Sequence, residues 1–228
     1  MDHISQLTDK EYKNGTLREK DAIARRSPRL SEMLSTKNLS MGNPVFIRIF
    51  KESQELEIWM QDTNSGKFQH VRTWDIAAMS GKLGPKLAEG DRQAPEGFYY
   101  VNRSRMKPDS TFHLAFNIGY PNSYDRAHNR TGSFIMVHGN QVSIGCFAMT
   151  DYWIEEIYTL CAEALKNGQP FFRVHIFPFR MTDERLAKES SNPWHPFWSN
   201  LKEGYDCFEE NKTPPNVTLS QKNYIFNE

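Results

Sequence analysis

No stretch of the 228-residue chain approaches the roughly twenty consecutive apolar residues that a membrane-crossing helix needs, so the sequence predicts no such span. Charge of one sign is lacking too: 28 lysines and arginines meet 28 aspartates and glutamates. A chain so balanced has no global field to draw it onto nucleic acid or an anionic membrane, and any anionic partner must be met by a local basic patch. Cysteine is scarce. Cys146, Cys161 and Cys207 cannot all pair, so at least one thiol is free or bonded to another molecule. Their spacing fits no zinc-ligand pattern, and nothing else in the chain implies a metal or an organic cofactor. Internal repeats and low-complexity tracts are absent as well.

What is present concentrates in one run, His138-Gly139-Asn140-Gln141-Val142-Ser143-Ile144-Gly145-Cys146, followed by Phe147-Ala148-Met149-Thr150-Asp151. A free thiol is mostly protonated near neutral pH, and only the thiolate attacks a carbonyl well. An imidazole that meets the thiol across one turn supplies the base a cysteine nucleophile needs. Gly139 and Gly145 let the backbone turn sharply and a substrate approach, and the amides of Gly145 and Cys146 can point at a developing oxyanion. Asp151-Tyr152-Trp153-Ile154 reads as a helix start, whose amino end favours negative charge. The residues alone leave three readings open: catalysis, a buried structural cysteine, or half of a metal site. Cys161 falls on the apolar helical face Ile154, Ile157, Tyr158, Cys161, Leu165, and both it and Cys207 are read as packing residues.

Periodicity predicts an α+β fold. Residues up to Asn38 read as helix broken at Ser27-Pro28, because proline removes a donor and restrains its predecessor. Val45–Phe50 and Glu55–Gln61 alternate apolar with polar residues and predict paired strands, with Asn64-Ser65-Gly66 turning into a third over Phe68–Trp74. Ser80–Gly97, rich in Gly, Pro and charge, reads as a long irregular loop of a kind that is often functional. Strands are expected at Phe98–Asn102, Thr111–Asn117, Ser133–Val137 and Phe171–Phe177, with a helix over Asp151–Lys166. The aromatic stretch Trp194–Phe208 has helical spacings that would dock one face on the sheet, and Asn223–Phe226 adds a terminal strand. His70, His113 and His175 are read as structural.

Ser143-Ile144-Gly145-Cys146 after His138-Gly139 resembles the Ser-x-Gly-Cys signature of the YkuD-type L,D-transpeptidases. Five further segments resemble the YafK branch of that family: Phe46-Ile47-Arg48-Ile49-Phe50-Lys51, Ser80-Gly81-Lys82-Leu83-Gly84-Pro85-Lys86, Gln93-Ala94-Pro95-Glu96-Gly97-Phe98-Tyr99, Asn117-Ile118-Gly119-Tyr120-Pro121-Asn122 and Phe177-Pro178-Phe179-Arg180. Together they span most of the chain from Leu30 onward. The resemblance implies a β-rich, sandwich- or barrel-like catalytic core over residues 44–180, with a long helix after the nucleophile. A helical segment, residues 1–43, would precede it, and an aromatic-rich helical extension, residues 181–228, would pack on it.

The same resemblance implies a thiol enzyme of the bacterial cell wall, acting without cofactor or metal on amide bonds at meso-diaminopimelate in peptidoglycan stem peptides. Carried over by position, Cys146 is the nucleophile, His138 the general base, and the Gly139 carbonyl the group that orients the imidazole. The amides of Gly145 and Cys146 would line the oxyanion hole, and Ser143 would hold the loop or touch substrate. Arg126 and Arg130, just before the strand that delivers His138, are candidate partners for a diaminopimelate carboxylate, with internal ion pairs as the alternative. Arg180 is a third candidate. The chain departs from the usual YkuD pattern, which has a longer gap between His and Cys and an Arg soon after the Cys. It also carries Ala77 and Gln141 where the branch often has cysteine, so Cys146 is expected to lack a neighbouring thiol.

Within the branch, the expected reaction is hydrolysis that releases outer-membrane lipoprotein attached to peptidoglycan. Transfer and L,D-carboxypeptidase trimming share the same thioester and are the alternatives, followed by a non-catalytic wall-binding module or an exported toxin of the same fold. A wall enzyme must leave the cytoplasm, yet the first thirty residues are polar and charged rather than leader-like. The expectation is a periplasmic protein whose signal has been removed.

Overall fold

The computed structural model describes residues 9–227, with side chains from residue 16. The elements run α1 (Asp9–Ser35), β1 (Val45–Phe50), β2 (Glu55–Gln61), β3 (Phe68–Asp75), β4 (Gly97–Asn102), β5 (Met106–Lys107), β6 (Ala115–Asn117), α2 (Ser123–Ala127) and β7 (Met136–His138). They continue as β8 (Phe147–Ala148), α3 (Thr150–Lys166), β9 (Phe171–Phe177), α4 (Asp183–Ala187), α5 (His195–Asn211), β10 (Asn216–Ser220) and β11 (Asn223–Asn227). The α+β class expected from the sequence is the class observed.

Strand side chains alternate between two faces, and here both faces are covered. The first sheet has the order β3-β2-β1-β9-β4, with β9 parallel to β1 and antiparallel to β4. Val45, Ile47 and Ile49 of β1, Leu56, Ile58 and Met60 of β2, and Phe172, Val174 and Ile176 of β9 face α3 and form the main core with Ile154, Ile157, Tyr158 and Cys161. On the opposite face Phe50, Phe98 and Phe177 meet Phe197, Trp198 and Leu201 of α5, while Phe46 meets Phe208. Double coverage explains why all six residues of β1 are buried, including Arg48, whose guanidinium is paired with Glu57 at 2.9 Å and Glu209 at 2.6 Å. The second sheet, β5-β6-β7-β8, carries the His138-to-Cys146 run at its β7–β8 end, where the two strands are parallel.

Three expectations change. The helix does not break at Pro28: α1 runs through it, because contacts on both sides tie α1 to α3. Arg25 and Arg26 pair with Glu155 and Tyr158 bonds Glu19 before the proline, while Arg29 donates to the Tyr152 hydroxyl and Leu30 and Leu34 are buried after it. The first eight residues of the expected helical segment lie outside the described residues. The strands expected over 111–117 and 133–137 shrink to β6 and β7, since His113 and Phe134 take positive φ (66° and 53°) that interrupt the pleat. The His113 carbonyl turns instead to accept from Arg18 at 2.5 Å.

Candidate active site

Strand register brings the thiol and the imidazole to one face. β7 and β8 pair Val137 with Phe147 and His138 with Ala148. One step back along this register Cys146 stands level with Met136, whose amide lies 3.4 Å from Sγ. Alternation then puts Cys146 and His138 on the same side, diagonal to one another.

His138 is buried, at 3% exposure, and the Phe112 ring packs against it with centroids 4.8 Å apart. Its Nδ1 lies 2.5 Å from the Gly139 carbonyl oxygen. A carbonyl oxygen can only accept, so Nδ1 carries the hydrogen, and in the neutral ring Nε2 is left as a base. Burial holds the imidazole below its ordinary pKa, against the opposite pull of the Gly139 carbonyl. Burial likewise pushes the Cys146 thiol up, partly offset by the Met136 amide and the Lys86 charge. The resting pair is therefore a neutral thiol and a neutral imidazole. No hydrogen bond joins them among the described residues, and Sγ lies 3.6 Å from the Phe134 carbonyl oxygen.

The connecting loop is pinned at several points. A Cβ on Gly139 would fall 2.6 Å from Asp151 Oδ1 and 2.8 Å from the Phe112 carbonyl oxygen, so only glycine fits. Asp151, in the first turn of α3, accepts from the Asn140 amide at 2.7 Å. Ser143 Oγ donates to the Cys146 carbonyl at 2.7 Å, closing the turn before Cys146. Gly145 takes φ +88°, which a side chain would disfavour. Exposed Phe134, Val142 and Ile144 form an apolar rim beside Cys146.

Five further expected site residues, Gly145, Ser143, Arg130, Arg126 and Arg180, each have a definite place. The Gly145 amide, expected to face an oxyanion, donates to Ser80 Oγ at 2.6 Å, so the Cys146 amide is the donor left for that role. Of the two roles expected for Ser143, holding the loop or touching substrate, its hydrogen bond serves the first. Arg130 is withdrawn from solvent and pairs with buried Asp125 at 2.9 Å, which is the internal ion pair. Arg126 lines a separate cleft whose lining includes neither Cys146 nor His138. Arg180 is bound to Glu55 and Glu57. All three cysteines are free, with Cys161 fully buried in the core. Ser80 and Lys86 lie within a segment of family resemblance that assigned neither a place at the site, which they approach from the loop before β4. Their places in a long loop and in that segment were the available signals, since the Ser80 bond to the Gly145 amide and the Lys86 charge felt by Cys146 join positions distant in the chain.

The YkuD family, the L,D-transpeptidase catalytic domain, matches residues 44–176, more than half of the chain. The chain belongs to this family and is an L,D-transpeptidase-like enzyme acting on peptidoglycan. Its similarity is to YafK in particular. The YafK proteins of Escherichia coli strains K12 and O157:H7 are each 45% identical to it over 185 residues, covering 81% of this chain and 74% of theirs. Among solved structures, a mutant form of the helical cell shape determining protein Pgp2 from Campylobacter jejuni overlaps with 22% identity and a TM-score of 0.49. That overlap covers 79% of this chain, which spans 65% of the length of the Pgp2 chain. No helix among the described residues is long and apolar enough to cross a membrane.

Proposed function

We propose that the protein hydrolyses an amide bond at meso-diaminopimelate in peptidoglycan and thereby releases covalently attached outer-membrane lipoprotein in the periplasm. The observation that carries this reading is the His138 tautomer: Nδ1–H given to the Gly139 carbonyl leaves Nε2 as a base on the face that bears the Cys146 thiol.

Because the resting pair is neutral, His138 Nε2 takes the thiol proton as Sγ attacks the amide carbonyl. The tetrahedral oxyanion is met by the Cys146 amide. His138 then returns the proton to the leaving amine as the C–N bond breaks, and a thioester remains on Cys146. Water, deprotonated by the same Nε2, attacks the thioester, and the proton goes back to the sulfur as the acid departs. An amine in place of water would give transfer from the same intermediate. The choice of water rests on the resemblance to the YafK branch.

The test is to incubate the purified chain with diaminopimelate muropeptides, both tetrapeptides and ones still bearing a lipoprotein-derived lysine, and to resolve the products by mass. Release of the lysine-bearing remnant, absent in Cys146→Ala, is the expected result. Loss of D-alanine from tetrapeptides or formation of dimers would move the reaction to carboxypeptidase or transpeptidase. Absence of any product would overturn the enzymatic reading.

A further inference from the structure

Away from Cys146, three of the arginines that form no ion pair among the described residues lie together. Arg105, Arg126 and Arg173 line a cleft of about 500 Å³ bounded by β4, α2 and β10, and no aspartate or glutamate is among its lining residues. Elsewhere Arg48, Arg130, Arg180 and Arg185 each meet a carboxylate. Among the described residues the hydrogen-bond partners of the three cleft arginines are neutral oxygens, and Arg105 and Arg173 also lie over the Tyr100 and Phe171 rings. Arg105 Nη1 donates to the Tyr100 carbonyl at 2.5 Å, Arg126 Nη1 to the Pro121 carbonyl, and Arg173 Nη2 to Asn216 Oδ1 at 2.6 Å. Each guanidinium has five N–H donors, so each keeps donors for a ligand.

The floor of the cleft adds a second observation. The β4–β9 register sets Phe98 opposite His175 and Tyr100 opposite Arg173, so these alternate positions share the face that forms the floor. His175 is 1% exposed, and its Nδ1 has no hydrogen-bond partner among the described residues. Buried polar atoms are nearly always paired, and one left without a partner beneath a cleft calls for a ligand or a bound water. Tyr100 and Phe171, with ring centroids 5.4 Å apart, provide an aromatic wall beside the charge.

We propose that this cleft is a second binding site, separate from Cys146, for a carboxylate-bearing stem peptide of peptidoglycan. The ligand class rests on the peptidoglycan substrate proposed above. The guanidinium fork matches a carboxylate in two parallel hydrogen bonds, and the aromatic wall accepts the aliphatic and sugar faces of a muropeptide. The polymer repeats its stems, so a strand engaged at Cys146 presents neighbouring stems to the cleft. Holding one of them raises the effective concentration of the other at the nucleophile.

The proposal is tested in the Cys146→Ala chain, where turnover cannot intervene, by titrating a disaccharide tetrapeptide with free stem carboxylates. Binding is followed by calorimetry and by amide NMR shifts. The expected result is binding that weakens with salt and shifts the amides of residues 216–219. Arg173→Gln should weaken it about tenfold, and Arg105→Gln together with Arg173→Gln about a hundredfold. Arg126→Gln, on the exposed rim, serves as the test should the double variant fail to fold. Unchanged affinity in the arginine variants, silence at residues 216–219, or equal binding of a ligand with amidated carboxylates would overturn the proposal. Inorganic phosphate saturating the cleft at lower concentration than the muropeptide would make it a phosphate site and overturn the peptide assignment. Release of the lipoprotein remnant is read in a separate assay of the unsubstituted chain, so failure of the hydrolase reading and failure of the cleft are told apart.

Discussion

At the scale of single residues, two shifts bear on how Cys146, the proposed nucleophile, would be activated. Burial lowers the His138 pKa and raises that of Cys146, so both favour the uncharged pair over thiolate and imidazolium. Many thiol enzymes keep a preformed thiolate through a nearby cation or helix end. On the mechanism proposed for Cys146 and His138, the proton leaves only as attack proceeds. The rate of Cys146 alkylation by iodoacetamide should therefore keep climbing as pH rises through and beyond the ordinary thiol value of about 8.5. By contrast, kcat/KM should hold its value down to below the ordinary imidazole value of about 6.5, because His138 must gain a proton before it fails as a base. An alkylation rate that is already flat at pH 7 would show a standing thiolate and defeat this account. The neighbouring positions make the same point sterically: Gly139 has Asp151 Oδ1 and the Phe112 carbonyl where a Cβ would be, so the imidazole's orienting carbonyl cannot be displaced by a side chain.

At the scale of elements, the loop between β3 and β4 is what links the tail to the turn that carries Cys146. Buried Glu96 pairs with Lys51 at 2.9 Å, accepts from the Gly84 amide at 2.7 Å and from Trp198 Nε1 of α5 at 2.8 Å. The same loop supplies Ser80 to the Gly145 amide. Glu96→Leu strands a buried lysine and should cost about 3–5 kcal/mol in urea unfolding. Adding Lys51→Met should recover a large part of that loss, because neither charge is then left alone. Additive losses would show that the two residues are not coupled.

Elements of this kind also mark the limit of sequence reading. β1, β2, β9 and α3 were legible because each repeats a pattern over six or more residues: Val45, Ile47 and Ile49 recur at period two, and Ile154, Ile157 and Cys161 at helical spacing. β5 and β8, of two residues each, and α2 and α4, of five, are shorter than any period they could display. Cys146 and His138 were legible because they lie in one run. The withdrawal of Arg130 was not, since it depends on Asp125 being buried beneath Tyr99 by the fold as a whole.

At the scale of the whole molecule, the first sheet divides the protein into two packed faces, and His175 shows what that arrangement costs. It belongs to a strand covered on both sides and stands between the Phe46 and Phe98 rings, with centroids 4.6 and 4.7 Å away. Burial first, then the charges of Arg173 and Arg48, hold its pKa far below the ordinary value. Above pH 7 the ring is neutral in folded and unfolded chains alike and contributes nothing to pH dependence. As pH falls through about 6.5 the unfolded chain takes up a proton that the fold refuses, so stability declines with falling pH. His138, shifted the same way, adds to the decline. Asp125, whose carboxyl burial holds above its ordinary value, opposes it towards more acid pH. His175→Phe removes the largest of these contributions and replaces an unpaired ring nitrogen with carbon among aromatic neighbours. The variant should therefore be at least as stable as the parent at pH 7.5. Between pH 7.5 and 5.5 it should lose about 1 kcal/mol less than the parent, as read by urea unfolding at a series of pH values. Parallel losses in the two proteins would mean that His175 titrates normally, and that the tail-covered face admits water to the floor of the cleft.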